Sequence, residues 1–350
     1  MKAVYSDVIQ FRGSHYDFGY WQGKKLSDSF ILPNRRKQWE KQYKRHFIVD
    51  VNQVKQALVT FAPEIWAEIQ GLADGLHYDI ETAIREFGGY YLEYGQSGCS
   101  VFTSSDYMMR NYDNAPASYE GRFVLFQPTD GGYATVGPSM QITGRTDGMN
   151  EKGLAMGYNF TNRIGSNDGF VCNMIGRIIL QTCATIEEAV TLLKNIPHRH
   201  AFSYIMLDQS GDSVIVEASS RQVKARKGHI CTNHFEQLRV ENRYRLDDSL
   251  KREKALKEGQ VHVTDSYSAF RLLNHSEHGV YSNKYGAWAG TLHTAGYFPK
   301  DMSVWFALGG DRKPVILPFN DWLEGHDFPI KQIKGKIDSK ELFVNMVEID

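Results

Sequence analysis

The chain has 350 residues, 42% hydrophobic and 23% charged, with a formal net charge of −1. That length buries a sizeable core, as one large domain or two smaller ones, and the near-neutral balance gives no global pull toward nucleic acid or an anionic membrane. Four cysteines in so long a chain exclude a disulfide scaffold.

The opening residues, MKAVYSDVIQF, lack the apolar core of a signal peptide, and no apolar run is long enough to span a bilayer. The final MVEID is neither a peroxisomal nor a lipidation signal. The expectation is a cytoplasmic protein.

The chain up to about Gln96 reads mostly as helix. In Asn34–Phe47, Trp39, Tyr43 and Phe47 stand four apart, an aromatic stripe that faces inward beneath a basic, solvated face. Basic residues interleaved with aromatics can bind RNA, but a chain with no overall positive charge favours the packed helix. Pro63 suits the first turn of a helix through Ile69, and Asp79 caps another through Phe87.

From Gly98 the pattern changes to short strands and tight turns. A hairpin turning at Ser104–Ser105 sets Cys99 opposite Arg110, with Asp113 beyond. Asp130–Gly131 joins the strands Phe123–Gln127 and Tyr133–Val136, and Met140–Thr143 and Leu154–Phe160 flank a turn-rich stretch. Phe170–Cys183 is an apolar helix that places Cys172 and Cys183 on one buried face, and Thr185 with Glu188 opens the next helix.

Strands return at Ala201–Leu207, Ser213–Ala218, Val223 and Ile230–Asn233. Helices follow at Arg243–Lys257 and Asp265–Leu273, and closing strands at Thr291–Tyr297 and Ser303–Leu308. Sheets with helices stacked outside suit this order. No glycine-rich turn has dinucleotide or P-loop spacing, and no G-x-S-x-G elbow is present. His229, Cys231 and His234 form H-x-C-x-x-H, with His198 and His200 upstream, but on a strand His234 falls on the face away from the other two. No metal site is expected.

By spacing alone, Cys99 is either a nucleophile or an ordinary buried thiol. The order of motifs speaks for the first. GSHYDFGYWQG (13–23), APEIWAEIQGLADG (62–75), GCS (98–100), RNYD (110–113) and DGMNEKGLAMGYNF (147–160) are followed by CTNHF (231–235), DDSLKR (247–252) and GTLHTAGYFP (290–299). In this order they resemble the acyltransferase branch of the N-terminal nucleophile (Ntn) hydrolases, which contains isopenicillin N acyltransferase. More distantly, they are similar to the choloylglycine hydrolases, bile salt hydrolase and penicillin V acylase.

The resemblance implies an α+β fold, a four-layer αββα sandwich with a helical N-terminal segment. It also implies a precursor that cuts itself between Gly98 and Cys99, leaving residues 1–98 as a front chain and 99–350 as the catalytic domain. The residues make that chemistry reasonable. Gly98 offers little steric resistance and tolerates a strained backbone, and a freed Cys99 carries both a thiol and an α-amine of pKa about 7.7–8.0 that can take its proton.

Roles follow residue by residue. Asp113 matches the carboxylate that orients the new amine, and Arg110 the cation beside the nucleophile, where the fungal acyltransferase has Gln. The Asn233 side-chain amide and the Asn159 backbone N–H match the oxyanion donors. Arg252 matches the S-x-x-R pattern begun by Ser249, whereas Tyr285, Ala287 and Trp288 stand where the fungal enzyme has a late Arg. The expected activity is amide hydrolysis or acyl transfer through a thioester on Cys99. N-acyl amides or acyl-CoA are the small-molecule partners, and there is no resident cofactor. The alternative is a catalytically inactive relative that binds a small molecule. Association of the two cut chains is expected, and homo-oligomers are compatible with it.

Overall fold

Two sheets lie face to face in the protein, a computed structural model that describes residues 1–42, 50–91, 98–161, 166–242, 246–286 and 289–346, with residues 41 and 42 as backbone only. Tyr43, Phe47, Gln96, Arg243, Ala287 and Trp288, named above, lie outside the described residues.

The front segment supplies β1 (Lys2–Gly13) and helices α1 (His15–Leu26), α2 (Ile31–Gln42), α3 (Val51–Phe61), α4 (Pro63–Leu76) and α5 (Ile80–Phe87). Strands β2 (Gly98–Thr103), β3 (Met108–Asn114), β4 (Arg122–Pro128), β5 (Thr135–Met140), β6 (Gly144–Arg145), β7 (Asp147–Asn150) and β8 (Ala155–Phe160) follow. After α6 (Cys172–Thr182) and α7 (Ile186–Asn195) come β9 (Phe202–Leu207), β10 (Ser213–Ala218), β11 (Val223–Lys227) and β12 (Ile230–Cys231). The chain closes with α8 (Asp247–Gly259), α9 (Ser266–Asn274), β13 (Gly290–Phe298), β14 (Ser303–Leu308), β15 (Val315–Pro318), α10 (Phe319–Leu323) and β16 (Gln332–Ile337).

The larger sheet runs β11-β10-β9-β8-β7-β5-β4-β1-β16, with β6 paired to β5, and the smaller runs β12-β2-β3-β13-β14-β15. Phe123 of β4 meets Phe306 of β14 edge-on across the interface, ring centroids 4.8 Å apart. Helix α6 covers the outer face of the larger sheet, where Leu180 lies against Gly148 of β7. Helices α8 and α9 cover the smaller sheet, where Asn111 of β3 donates to the Leu273 carbonyl at 2.7 Å. Helix, sheet, sheet and helix make the expected four layers.

The front segment differs from a purely helical piece. Its first strand sits inside the larger sheet, parallel to β4 on one side and antiparallel to β16 on the other. Helices α1 and α4 cross so closely that a Cβ on Gly19 would stand 2.0 Å from the Glu68 carbonyl oxygen, and one on Gly71 2.1 Å from that of Tyr16. Gly19, Gly23, Gly71 and Gly75 of the first two motifs are there for backbone contact. Helix α2 also departs from a solvated basic face. Arg35 is buried between Glu86 and Glu120, while Trp39 packs half-buried against the core.

Capping follows the sequence closely. Asp79 accepts from the Thr82 N–H and Thr185 from the Glu188 N–H, while Asp265 closes a capping box with Ser268.

Candidate active site

The hairpin that carries Cys99 is real, but its register is two residues from the expected one. Cys99 pairs with Tyr112, Val101 with Arg110 and Gly98 with Asp113, because the turn takes the four residues Ser104–Tyr107 rather than two. A two-residue slip preserves faces. Arg110 therefore stays on the side of the Cys99 thiol, as a diagonal neighbour with Nη2 3.7 Å from Sγ.

Asp113 is an odd number of residues from Arg110 and so takes the opposite face. The thiol reaches the Asp113 backbone carbonyl, at 3.8 Å, and not its carboxylate. That carboxylate points toward α8, beside Gly98. Oδ1 accepts from Thr291 Oγ1 at 2.7 Å, and Oδ2 is buried with no hydrogen-bond partner among the described residues. A Cβ placed on Gly98 would lie 3.4 Å from Arg252 Nη2 and 3.5 Å from Asp113 Oδ2, which is ordinary contact. Gly98 has no left-handed φ.

The two faces meet at the backbone of Cys99. Its N–H donates to Asn233 Oδ1 at 2.7 Å, and its carbonyl accepts from Arg252 Nη1 at 2.5 Å. Arg252 also donates to Ser100 Oγ, to Asn233 Oδ1 and, through Nε, to Asp248. Both neighbours of Asn233 Oδ1 are donors, which fixes the amide's orientation and leaves Nδ2 to donate to the Phe160 carbonyl at 2.7 Å. Ser249, one turn before Arg252 on α8, accepts from the Asn233 backbone N–H at 2.7 Å.

Arg110 is fixed from its far side. Asp147 pairs with it, the Thr146 and Tyr158 carbonyls accept from it, and His293 and Tyr297 share the same carboxylate. All of these side chains are fully buried. Burial pushes the Asp147 carboxyl up, but Arg110, His293 and the hydrogen bonds outweigh it and hold the group well below the usual carboxylate range. Burial raises the Cys99 thiol despite the pull of Arg110, and it pushes Asp113 up to about 7 against the opposing charge of Arg252. A carboxyl in that range can exchange a proton near neutral pH.

Asn159 is placed differently from expectation. Thr161 N–H donates to the Ala201 carbonyl at 3.0 Å, toward β9. Alternate residues of a strand point their N–H groups to the same edge, so the Asn159 N–H also faces β9 and not Cys99. Its side-chain amide instead donates to the Cys231 carbonyl at 2.9 Å, fastening the strand end that leads into Asn233. The backbone on the Cys99 edge belongs to Tyr158 and Phe160.

The H-x-C-x-x-H residues do not converge. His229 sits beside Thr103 and Ser213, and Cys231 is buried with its thiol pushed up to about 12 by burial. His234 joins Ser249. Cys172 and Cys183 are core thiols, as read. A hollow of about 560 Å³ lies between the end of α8 and α9, lined by Ala255, His262, Arg271 and Leu272 among others, and does not reach Cys99. No helix among the described residues is long and apolar enough to cross a membrane.

The fold is the α+β, four-layer αββα sandwich of the Ntn hydrolases. The sequence profile of the family described as acyl-coenzyme A:6-aminopenicillanic acid acyl-transferase matches residues 101–313, about three fifths of the chain. The chain belongs to that family, and so to the enzymes of acyl transfer. The matched span begins just after Cys99 and contains Arg110, Asp113, Asn159, Asn233 and Arg252.

Among solved structures, penicillin V acylase from Agrobacterium tumefaciens is similar at 18% identity over 63% of this chain and 84% of that one, TM-score 0.42. A mutant of the conjugated bile acid hydrolase from Clostridium perfringens is similar at 15% identity over 70% and 100%, TM-score 0.48. The N-acylethanolamine-hydrolyzing acid amidase ortholog of Caenorhabditis elegans is similar at 12% identity over 58% and 93%, TM-score 0.40. No curated protein matches the chain in sequence.

Proposed function

We propose that the chain is a self-processing cysteine amidase or acyltransferase whose nucleophile is Cys99. The observation that carries this reading is the grip on one residue. Asn233 holds the backbone N–H of Cys99, Arg252 holds its carbonyl and Arg110 stands beside its sulfur.

In the processing step, Sγ attacks the Gly98 carbonyl carbon, the C–N bond to Cys99 breaks and a thioester forms. The departing nitrogen takes the thiol proton. Water then hydrolyses the thioester, leaving a Gly98 carboxylate and a free thiol. The new α-amine emerges on the Asp113 side of the strand, where that carboxyl can orient it and exchange a proton.

In turnover, the α-amine takes the thiol proton and the sulfur attacks the substrate carbonyl. The acyl group passes to Cys99 while the leaving group takes a proton from the amine, and water or an amine acceptor then releases it. Asn233 Nδ2 supplies the oxyanion donor once it turns from the Phe160 carbonyl, and Arg110 draws the sulfur toward thiolate. N-acyl amides suit hydrolysis. An acyl-CoA would enter as a donor substrate for transfer, and no resident cofactor takes part.

Intact mass of the purified protein tests the reading. Chains of residues 1–98 and 99–350, with an added acyl mass on the larger after exposure to N-acyl amides, are expected. A full-length chain that persists at neutral pH and takes up no acyl group would leave the small-molecule-binding alternative.

A further inference from the structure

Away from Cys99, the junction between the front segment and the body encloses more positive charge than the protein neutralises. Arg145 of β6 is fully buried, and among the described residues its Nη1 donates only to the Thr143 and Gly144 carbonyls, at 3.3 and 3.0 Å. Its Nε and Nη2 have no acceptor among the described residues. Arg177, Glu68, Arg122 and Glu120 are its charged neighbours.

Both carboxylates are engaged by other donors, and neither bonds Arg145 among the described residues. Glu68 Oε1 accepts from Gln22 at 2.9 Å and Oε2 from Arg177 at 2.8 Å. Glu120 gives one oxygen to Arg35 and the other to the Ile142 N–H, at 3.2 and 3.0 Å. Other donors nearby also lack acceptors among the described residues. These are Nη1 of Arg122, Nε2 of Gln181, whose Oε1 holds Arg177, and the hydroxyl of Ser139, the cross-strand partner of Arg145. Three guanidinium groups, 122, 145 and 177, thus share carboxylates that are already engaged.

A guanidinium does not deprotonate in a protein, and leaving its charge buried and unpaired is strongly unfavourable. Water can satisfy its donors but cannot cancel its charge. Its free Nε–Nη2 edge is one that accepting oxygens grip in parallel. We infer that the Arg145 edge, with Arg122 and Arg177 around it, binds a small monovalent anion of chloride or acetate size. Burial and Arg177 both press on the Arg145 charge, the direction an anion relieves. Gln22 and Glu68 come from the front segment and Arg122, Arg145 and Arg177 from the body, so the bound anion braces that junction. The inference does not depend on the chemistry proposed at Cys99.

Thermal unfolding of the full chain in sodium gluconate, chloride and acetate at one ionic strength tests it. The expected result is a melting temperature that rises with chloride or acetate and saturates, since ligand bound only to the folded state stabilises by mass action. The arm that saturates at lower concentration identifies the better-fitting anion. Arg145→Met should abolish the rise. Bromide-soaked crystals should show an anomalous peak beside Arg145, a readout that does not require the variant to fold. Equal melting in all three salts with no bromide peak, as water alone would give, overturns the site. A rise that persists in a folded Arg145→Met chain overturns it as well.

Discussion

Arg252 holds Asn233 by its side-chain oxygen, Nη2 to Oδ1 at 2.8 Å. The same oxygen accepts the N–H of Cys99, so α8 positions Cys99 through an intermediary as well as directly. Ser249 takes the other end of Asn233 by its backbone N–H, which makes the S-x-x-R spacing a clamp one helical turn long. Asn233→Ala is expected to lower turnover about 100- to 1,000-fold, the range for one oxyanion donor. Ser249→Ala should lower kcat more mildly with KM little changed, and Ser249→Thr should restore part of it. Unaltered turnover in Asn233→Ala would remove that residue from the reaction.

Asp113 predicts a pH dependence of stability. Its carboxyl titrates at about 7 in the folded chain against 3.8 for an ordinary Asp, so between those values the folded state keeps a proton that the unfolded state has lost. Its contribution is full below about pH 4 and is lost as pH rises to about 7. In an uncut Cys99→Ala background, the melting temperature should fall relative to the Asp113→Asn variant across that window and run parallel above it. A gap that does not change with pH would mean that Asp113 titrates as an exposed carboxylate.

The front segment is expected to stay attached after cutting. Strand β1 lies between β4 and β16, both in the body, and the Glu68–Arg177 pair across the junction is fully buried. Native mass spectrometry should show one particle near 39.9 kDa where denaturing conditions show two chains. Glu68→Ala strands the Arg177 charge and should cost about 3–5 kcal/mol in urea unfolding. Replacing the pair together, Glu68→Leu with Arg177→Met, should cost less.

The α1–α4 crossing predicts a steric effect with no charge involved. A methyl group on Gly71 would stand 2.1 Å from the Tyr16 carbonyl oxygen, so Gly71→Ala must force the helices apart. A loss of about 1–3 kcal/mol is expected, as for an overpacked core. Gly98→Ala meets only ordinary contacts and should unfold like the parent in the Cys99→Ala background.

Local chemistry made much of this chain legible. Caps at Asp79 and Thr185 marked their helices, because a side-chain oxygen satisfies N–H groups a few residues away. Strands β10 and β14 showed their full span. Strand β1 did not: Ser6 is buried and Tyr5 half-exposed, which blurs the alternation, and its partners lie more than a hundred residues further along.

At the site, the ordered motifs around Gly98–Cys99 pointed to a family and to the residues that converge there. The hairpin placed Arg110 on the thiol's face even with the register two residues off, since strand periodicity is two. Tertiary structure decided which atoms meet. Asp113 faces away from the sulfur and toward the bond before it, and the Asn159 N–H turns to β9. Arg252 reaches the Cys99 carbonyl from a helix more than a hundred residues away. Periodicity assigns a side chain to a face, but only the partners packed on that face determine what it touches.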